Sequence, residues 1–210
     1  YIIGNPPFIG AAMKSQVQIE DMSIAFDKHV NHGKLDYVSA WYYLAVKYIK
    51  DSEISVAFVS TNSISQGEQV SLLWKEIFNN YDIKINFAHR TFNWVNDAKG
   101  KAAVHCVIIG FGKERKEKKI FDYVDINGDP YEIEAKNINP YLLNSSSVFI
   151  DKTRVPICNT PKMIRGNIPY DGGNLLLSEQ EKNDLVKLDN DFNFLVKRYG
   201  GAYEMLNNKW

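Results

Sequence analysis

Apolar and polar positions along the chain fall into short blocks of different period. Tyr1 to Gly4 is a brief β-branched run that reads as the end of a buried strand. Residues 9–34 are polar and mixed, and read as a long loop carrying one short helix. From Leu35 onward Val38, Trp41, Tyr42, Ala45 and Ile49 recur at helical spacing and form one apolar face, which predicts a helix of about four turns. Glu53 to Thr61 (EISVAFVST) is the continuous β-branched run expected of a central strand covered on both faces. A turn, NSISQG, leads to a second helix over Glu68 to Asn80, with Val70, Leu73, Trp74, Ile77 and Phe78 on one side. Ile83 to Ala88 alternates as a strand and Ala103 to Phe111 reads as another, the two joined by RTFNWVNDAKGKA. KERKEKK (Lys113 to Lys119) reads as a solvated turn, and Phe121 to Ile126 as an edge strand.

This order of strands and helices predicts an α/β sheet with an antiparallel pair at its end. After Gly128 the texture changes to Pro, Asn and Ser: Pro140, Ser145 to Ser147, Pro156, Pro161, Pro169, Gly172 and Gly173 interrupt every periodic pattern. A catalytic-type domain is therefore expected over 1–128, a linker over 129–150 and the start of a further, mostly irregular α+β domain over 151–210. Within that last part Ser178 followed by Glu181 forms a capping-box pattern, which predicts a helix from about 179 to 188.

Composition removes several classes of function. Lys plus Arg and Asp plus Glu balance at 25 each, so no global field draws the chain to a polyanion, and any such contact must be local. Cys106 and Cys158 stand far apart without paired histidines, so neither a disulfide framework nor a zinc site is indicated and a reduced, cytoplasmic setting is the expectation; no metal is expected. The longest apolar stretches fall short of the roughly 18 to 20 residues that a membrane span needs. The chain starts without Met inside a strand-like run, and is expected to be an excerpt of a longer protein.

The chemistry concentrates in Gly4-Asn5-Pro6-Pro7-Phe8. The two prolines lack backbone donors, fix their own φ and push the preceding residues out of the α region, so the segment is rigid and held open at a strand end. An amino group conjugated to an aromatic ring is a poor nucleophile because its lone pair is delocalised. Two acceptors on its hydrogens, the Asn5 side-chain oxygen and the Pro6 carbonyl, would draw the lone pair toward tetrahedral geometry, and the Phe8 ring offers a face on which a planar base stacks, worth about 1–3 kcal/mol. This is catalysis by positioning and preorganised polarity. The residues alone leave open a strained proline turn with no chemistry.

GNPPF resembles the Asp/Asn/Ser-Pro-Pro-Tyr/Phe motif of amino-directed DNA methyltransferases, in the Asn form typical of adenine N6 enzymes. LDYVSAWYYLAVKYI followed by ISVAFVSTNSISQGEQV resembles the helix and strand after that motif in the γ-order enzymes, and FNWVNDAKGKAAVHCVIIGF resembles their terminal hairpin. QGEQV, FNWVNDA and IPYDGGNLLLS are similar to single-chain type IIG and type IIL restriction-modification enzymes. The resemblance implies the second half of a Rossmann-like methyltransferase fold with a terminal antiparallel hairpin. It implies Asn5, Pro6, Pro7 and Phe8 as catalytic residues, and Trp94, then Phe92, as the aromatic edge against an extruded adenine. It implies double-stranded DNA as partner and S-adenosylmethionine as methyl donor. The family's Gly-rich donor loop and its acidic residue precede the proline motif and are not found here, so the 210-residue chain alone is expected to be inactive. Protein-glutamine methyltransferases share the Asn-Pro-Pro-aromatic turn, and a non-catalytic DNA-specificity module would share the fold; both remain as alternatives.

Other residues have local readings. Asp36 reads as a first-turn carboxylate favoured by the helix dipole, Asn62 as a turn former and His105 as a packed histidine. Arg90, Lys99 and Lys101 stand near the hairpin, where phosphate contact and plain solvation are evenly weighted. Arg154, Lys162, Arg165, Lys197 and Arg198 fall in the part that resembles a target-recognition domain. The sheet is expected to expose an unpaired edge and apolar faces, which makes self-association of the chain an expectation.

Overall fold

Val56, Phe58 and Ser60 alternate along one strand with Ala57, Val59 and Thr61, the first set buried and the second half-exposed. That alternation organises the part of the chain that carries the proline motif. The computed structural model describes residues 1–26, 31–94, 104–153, 155–156, 158–161, 171–189 and 191–208, with side chains 203 and 204 not described. Contacts divide the chain into Tyr1–Arg154 and Val155–Trp210.

The first unit is built on a mixed sheet of six strands: β1 (Ile2–Gly4), β2 (Val56–Thr61), β3 (Lys84–Trp94), β4 (Val104–Gly112), β5 (Lys118–Asp122) and β6 (Tyr131–Ala135), in the order β1-β2-β4-β3-β5-β6. β1 runs parallel to β2 and β3 parallel to β5; the other neighbours are antiparallel. The helices are α1 (Gln16–Ala25), α2 (Ser39–Ile49), α3 (Gly67–Gln69) and α4 (Lys75–Asn80), the last two joined through a π-wound stretch, Val70–Trp74. Short 3-10 turns occupy Ala11–Met13 and Asn62–Ser65.

The core lies between the sheet and these helices. The Tyr42 ring of α2 stacks on Phe111 at 5.4 Å and meets Phe58 and Trp74 edge-on at 5.3 and 5.5 Å. Its hydroxyl bonds Ser60 Oγ at 2.6 Å, so the polar tip is satisfied inside the core. Trp74 does the same by donating its indole N–H to the Ile64 carbonyl at 3.0 Å.

The other face is open. Ile3 is 84% exposed there, and Ile3, Ala57, Phe87, Gly110 and Phe121 line a cavity of about 500 Å³. Among the described residues β2 is covered on one face, where the Glu53–Thr61 run reads as covered on both. At Gly110 the Phe87 ring lies flat over the cross-strand glycine, and a Cβ would stand 2.1 Å from it.

Several boundaries move, each for a contact that periodicity cannot see. The polar stretch 9–34 holds a ten-residue helix, α1, opened by a reciprocal cap between Ser15 and Gln18. α2 begins at Ser39 rather than Leu35, because Asp36, Tyr37 and Val38 form tight turns whose carbonyls take the N–H groups of Ser39, Ala40 and Trp41. β3 continues to Trp94, past Ala88, because Phe92, Asn93 and Trp94 pair with Cys106, His105 and Val104. The KERKEKK run is not a solvated turn throughout: Lys118 and Lys119 open β5, and Lys118 is only 4% exposed, its ammonium on Glu114 at 2.7 Å and the Lys136 carbonyl at 3.2 Å. β5 is not the edge either, since β6 pairs outside it. The β3–β4 hairpin therefore lies inside the sheet, and residues 129–150, expected as a linker, include β6.

In the second unit the described helices are α5 (Glu179–Leu188), α6 (Phe192–Leu195) and α7 (Ala202–Asn207). The reciprocal cap at Ser178 and Glu181 forms as its spacing predicts. None of the described residues of this unit is buried. Among the described residues no helix is long and apolar enough to cross a membrane.

Candidate functional site

β1 delivers the proline motif to one end of the sheet. Its register places Gly4 beside Phe58 of β2, and a Cβ on Gly4 would press on the Phe58 ring at 3.1 Å, so the strand lies flush on its neighbour up to its last residue. Beyond Gly4 the chain leaves the ladder, because Pro6 and Pro7 have no N–H to offer it. Asn5 is exposed, Pro6 buried, Pro7 exposed and Phe8 half-buried. The Asn5 carboxamide has no hydrogen-bond partner among the described residues, and its oxygen is available to a ligand donor.

The loop that follows is fastened to the entry of α2. Tyr37 donates its backbone N–H to the Ile9 carbonyl at 2.9 Å, and the Ala11 N–H is received by Asp36 Oδ1 at 2.9 Å. The second oxygen, Asp36 Oδ2, accepts from Ser63 Oγ at 2.5 Å, in the turn after β2. Ser63 Oγ also bonds Thr61 Oγ1 at 2.8 Å, and Gln69 Oε1 takes the Asp36 backbone N–H at 3.1 Å. Lys14 places its ammonium on the Leu35 carbonyl at 2.7 Å; burial lowers its pKa, opposed by the Asp36 carboxylate. Asp36 is thus no first-turn helix carboxylate: it precedes the helix and joins three segments. Its partners are 25 to 33 residues away, and the one signal in the sequence is an acid standing alone among the apolar residues of LDYV.

Trp94 and Val104, the paired ends of β3 and β4, lie at the same end of the sheet. Thr61 at the end of β2 faces Cys106, and Cys106 faces Phe92. In strand order β3 is three spacings from β1, about 14 Å. Phe92 stacks on Tyr123 at 5.5 Å and touches Trp94 at 6.2 Å. His89 stacks on Phe121 at 4.3 Å and bonds Tyr123 through Nδ1 at 2.8 Å, and burial lowers its pKa. Phe92 is committed to this aromatic cluster, whereas Trp94 is half-exposed with Phe92 as its ring neighbour. Asn5, Phe8, Phe92 and Trp94 do not line the cavity on the open face.

The remaining candidates separate cleanly. Arg90 is held by two partners in the fold, Nη1 on Asp122 at 2.5 Å and Nε on the Leu142 carbonyl at 3.0 Å. His105, the second residue of β4, is exposed rather than packed. Asn62 opens the 3-10 turn and its carbonyl accepts from Ser65 Oγ at 2.9 Å. Lys197 stands over the Phe194 ring at 4.6 Å. Lys99, Lys101, Arg154, Lys162 and Arg165 lie outside the described residues. Among the described residues no Gly-rich turn joins a strand to a helix, and no group of three or more His, Cys, Asp or Glu is placed to hold a metal.

Residues 1–122 match the family model described as MmeI, DNA-methyltransferase domain, and residues 144–210 match that described as MmeI, target recognition domain. DNA methyltransferase A of Bacillus subtilis (strain 168) is 40% identical over 207 residues, 99% of this chain and 23% of that protein. The solved type IIL restriction-modification enzyme MmeI in complex with DNA superposes with a TM-score of 0.91 at 48% identity, over 97% of this chain and 27% of the other. The chain spans about a quarter of the length of the relatives it matches.

Proposed function

Because the chain belongs to the MmeI DNA-methyltransferase family, we propose that it supplies the acceptor side of an adenine-N6 DNA methyltransferase within a restriction-modification enzyme. Double-stranded DNA is the partner this reading implies, and residues 144–210, which match the target recognition model, would take part in reading its sequence.

The observation that carries the reading is the state of Asn5: exposed, unpaired among the described residues, at the tip of β1 and one residue ahead of a buried proline. In this reading an adenine extruded from the duplex lays its ring against Phe8 and gives its two amino hydrogens to Asn5 Oδ1 and the Pro6 carbonyl. Those bonds pull the lone pair out of conjugation and aim it, and the amine needs no strong base because its acidity rises as the new bond forms. Trp94 serves as the second aromatic surface and Phe92 as its support. S-adenosylmethionine is the methyl source implied, a sulfonium whose methyl carbon is the electrophile.

Asn5→Ala in the full-length protein tests the reading. The single-turnover rate of methyl transfer to duplex DNA is expected to fall by about 10²–10³, with DNA affinity preserved. An unchanged rate removes Asn5 from the mechanism.

A further inference from the structure

We propose that Asp36 is a positioning residue for this site: its carboxylate acts through the backbone of the loop to set the Phe8 ring and the Asn5–Pro7 turn in their working geometry. The proposal rests on the acceptor-site reading above.

Asp36 is 8% exposed, and both of its carboxylate oxygens are spent on segments distant in sequence. A buried carboxylate is tolerated only where its oxygens are well bonded, and bonds to an ionised acceptor are the stronger kind. Here one oxygen grips the loop at Ala11 and the other grips the turn after β2 at Ser63. The neighbouring Tyr37 N–H holds Ile9, the residue directly after Phe8. Phe8 therefore sits between a stretch fixed by two prolines and a stretch pinned at Ile9 and Ala11.

The clamp also fixes one strand tip against the next. Thr61, the last residue of β2, bonds Ser63, and Gln69, the last residue of α3, holds the Asp36 N–H. Directly after Gln69 the helix is wound as a π turn, a geometry that recurs at functional sites because it re-aims side chains within a helix. Without Asp36 the loop would retain its prolines but lose the fixed point three residues beyond Phe8. A displacement on the order of 1 Å at the stacking ring is enough to cost about 100-fold in rate.

The test uses the full-length protein, with single-turnover methyl transfer and DNA affinity measured separately. Asp36→Ala is expected to slow transfer by about 100-fold while leaving DNA affinity unchanged. Asp36→Asn is expected to recover most of the rate, since its oxygen still receives the Ala11 N–H and its amide donates to Ser63, whose hydroxyl turns to Thr61. Ser63→Ala, which breaks one arm and leaves the loop's own bond, is expected to fall between wild type and Asp36→Ala. Rate and affinity falling together in Asp36→Ala would overturn the proposal, as would an Asn variant as slow as the Ala variant. If Asp36→Ala does not fold, Ser63→Ala at the wild-type rate overturns it. A wild-type protein that transfers no methyl group defeats the acceptor-site reading itself; a wild type that does, with Asp36→Ala equally fast, defeats the positioning role alone.

Discussion

The two units of the chain put their apolar side chains to opposite use. In Tyr1–Arg154 the rings of Trp74, Tyr42 and Phe111 meet one another across three elements and are shut away from water. In Val155–Trp210 Leu188 is 80% exposed, Phe194 76% and Leu206 82%, and the described elements are held by bonds between near neighbours: Ser178 with Glu181, Asp189 with Leu185, Phe192 with Asp189. A helix of ten residues with only such support is marginal in water, whereas a packed face makes a helix part of a cooperative whole. Regular secondary structure is therefore weak evidence of a fold, and what separates the units is whether partners distant in sequence bury each element.

The contrast can be broken at its strongest point first. Trp74→Ala is expected to cost about 3–5 kcal/mol, seen as a lower denaturation midpoint of the sheet unit, while Leu188→Ala stays within about 0.5 kcal/mol. Equal losses would mean that α5 is packed as tightly as the Val70–Trp74 stretch. Ser178→Ala should weaken α5 by about 1 kcal/mol, read as faster amide exchange over Glu179–Leu188 with no change in the exchange of β2 and β4. The smallest effect is on pH. His89 has its pKa lowered below 6.5 by burial, so the unfolded chain binds more protons than the folded one. Stability of the sheet unit is then complete above that ordinary value and drains as pH falls through it toward the lowered folded value; denaturation at about pH 7.5 and about pH 5.5 should show the loss, reduced in His89→Phe.

The proline turn of the candidate site was legible because its residues are local. Asn5, Pro6, Pro7 and Phe8 are consecutive, and proline's missing N–H and fixed φ foretell a rigid exit from a strand wherever the strand lies. The hairpin aromatics were legible as candidates, yet Phe92 is committed to Tyr123, the residue directly after β5 and 31 positions away, which no local pattern connects to it. Arg90 reads as part of the segment joining two strands, whereas it lies within β3 and is held by Asp122 and Leu142, 32 and 52 residues away.

By itself the sequence determined the helices with a clear apolar face, the capped start of α5 and the proline turn, since each depends on residues within a turn or two of one another. Only the tertiary structure decided that β4 sits between β2 and β3, that a lysine from a charge run is buried, and that Asp36 fastens the motif loop. Those outcomes depend on which distant groups come to share one desolvated place, where an unpaired donor or carboxylate is costly enough to select its partner. No pattern of neighbouring residues carries that information.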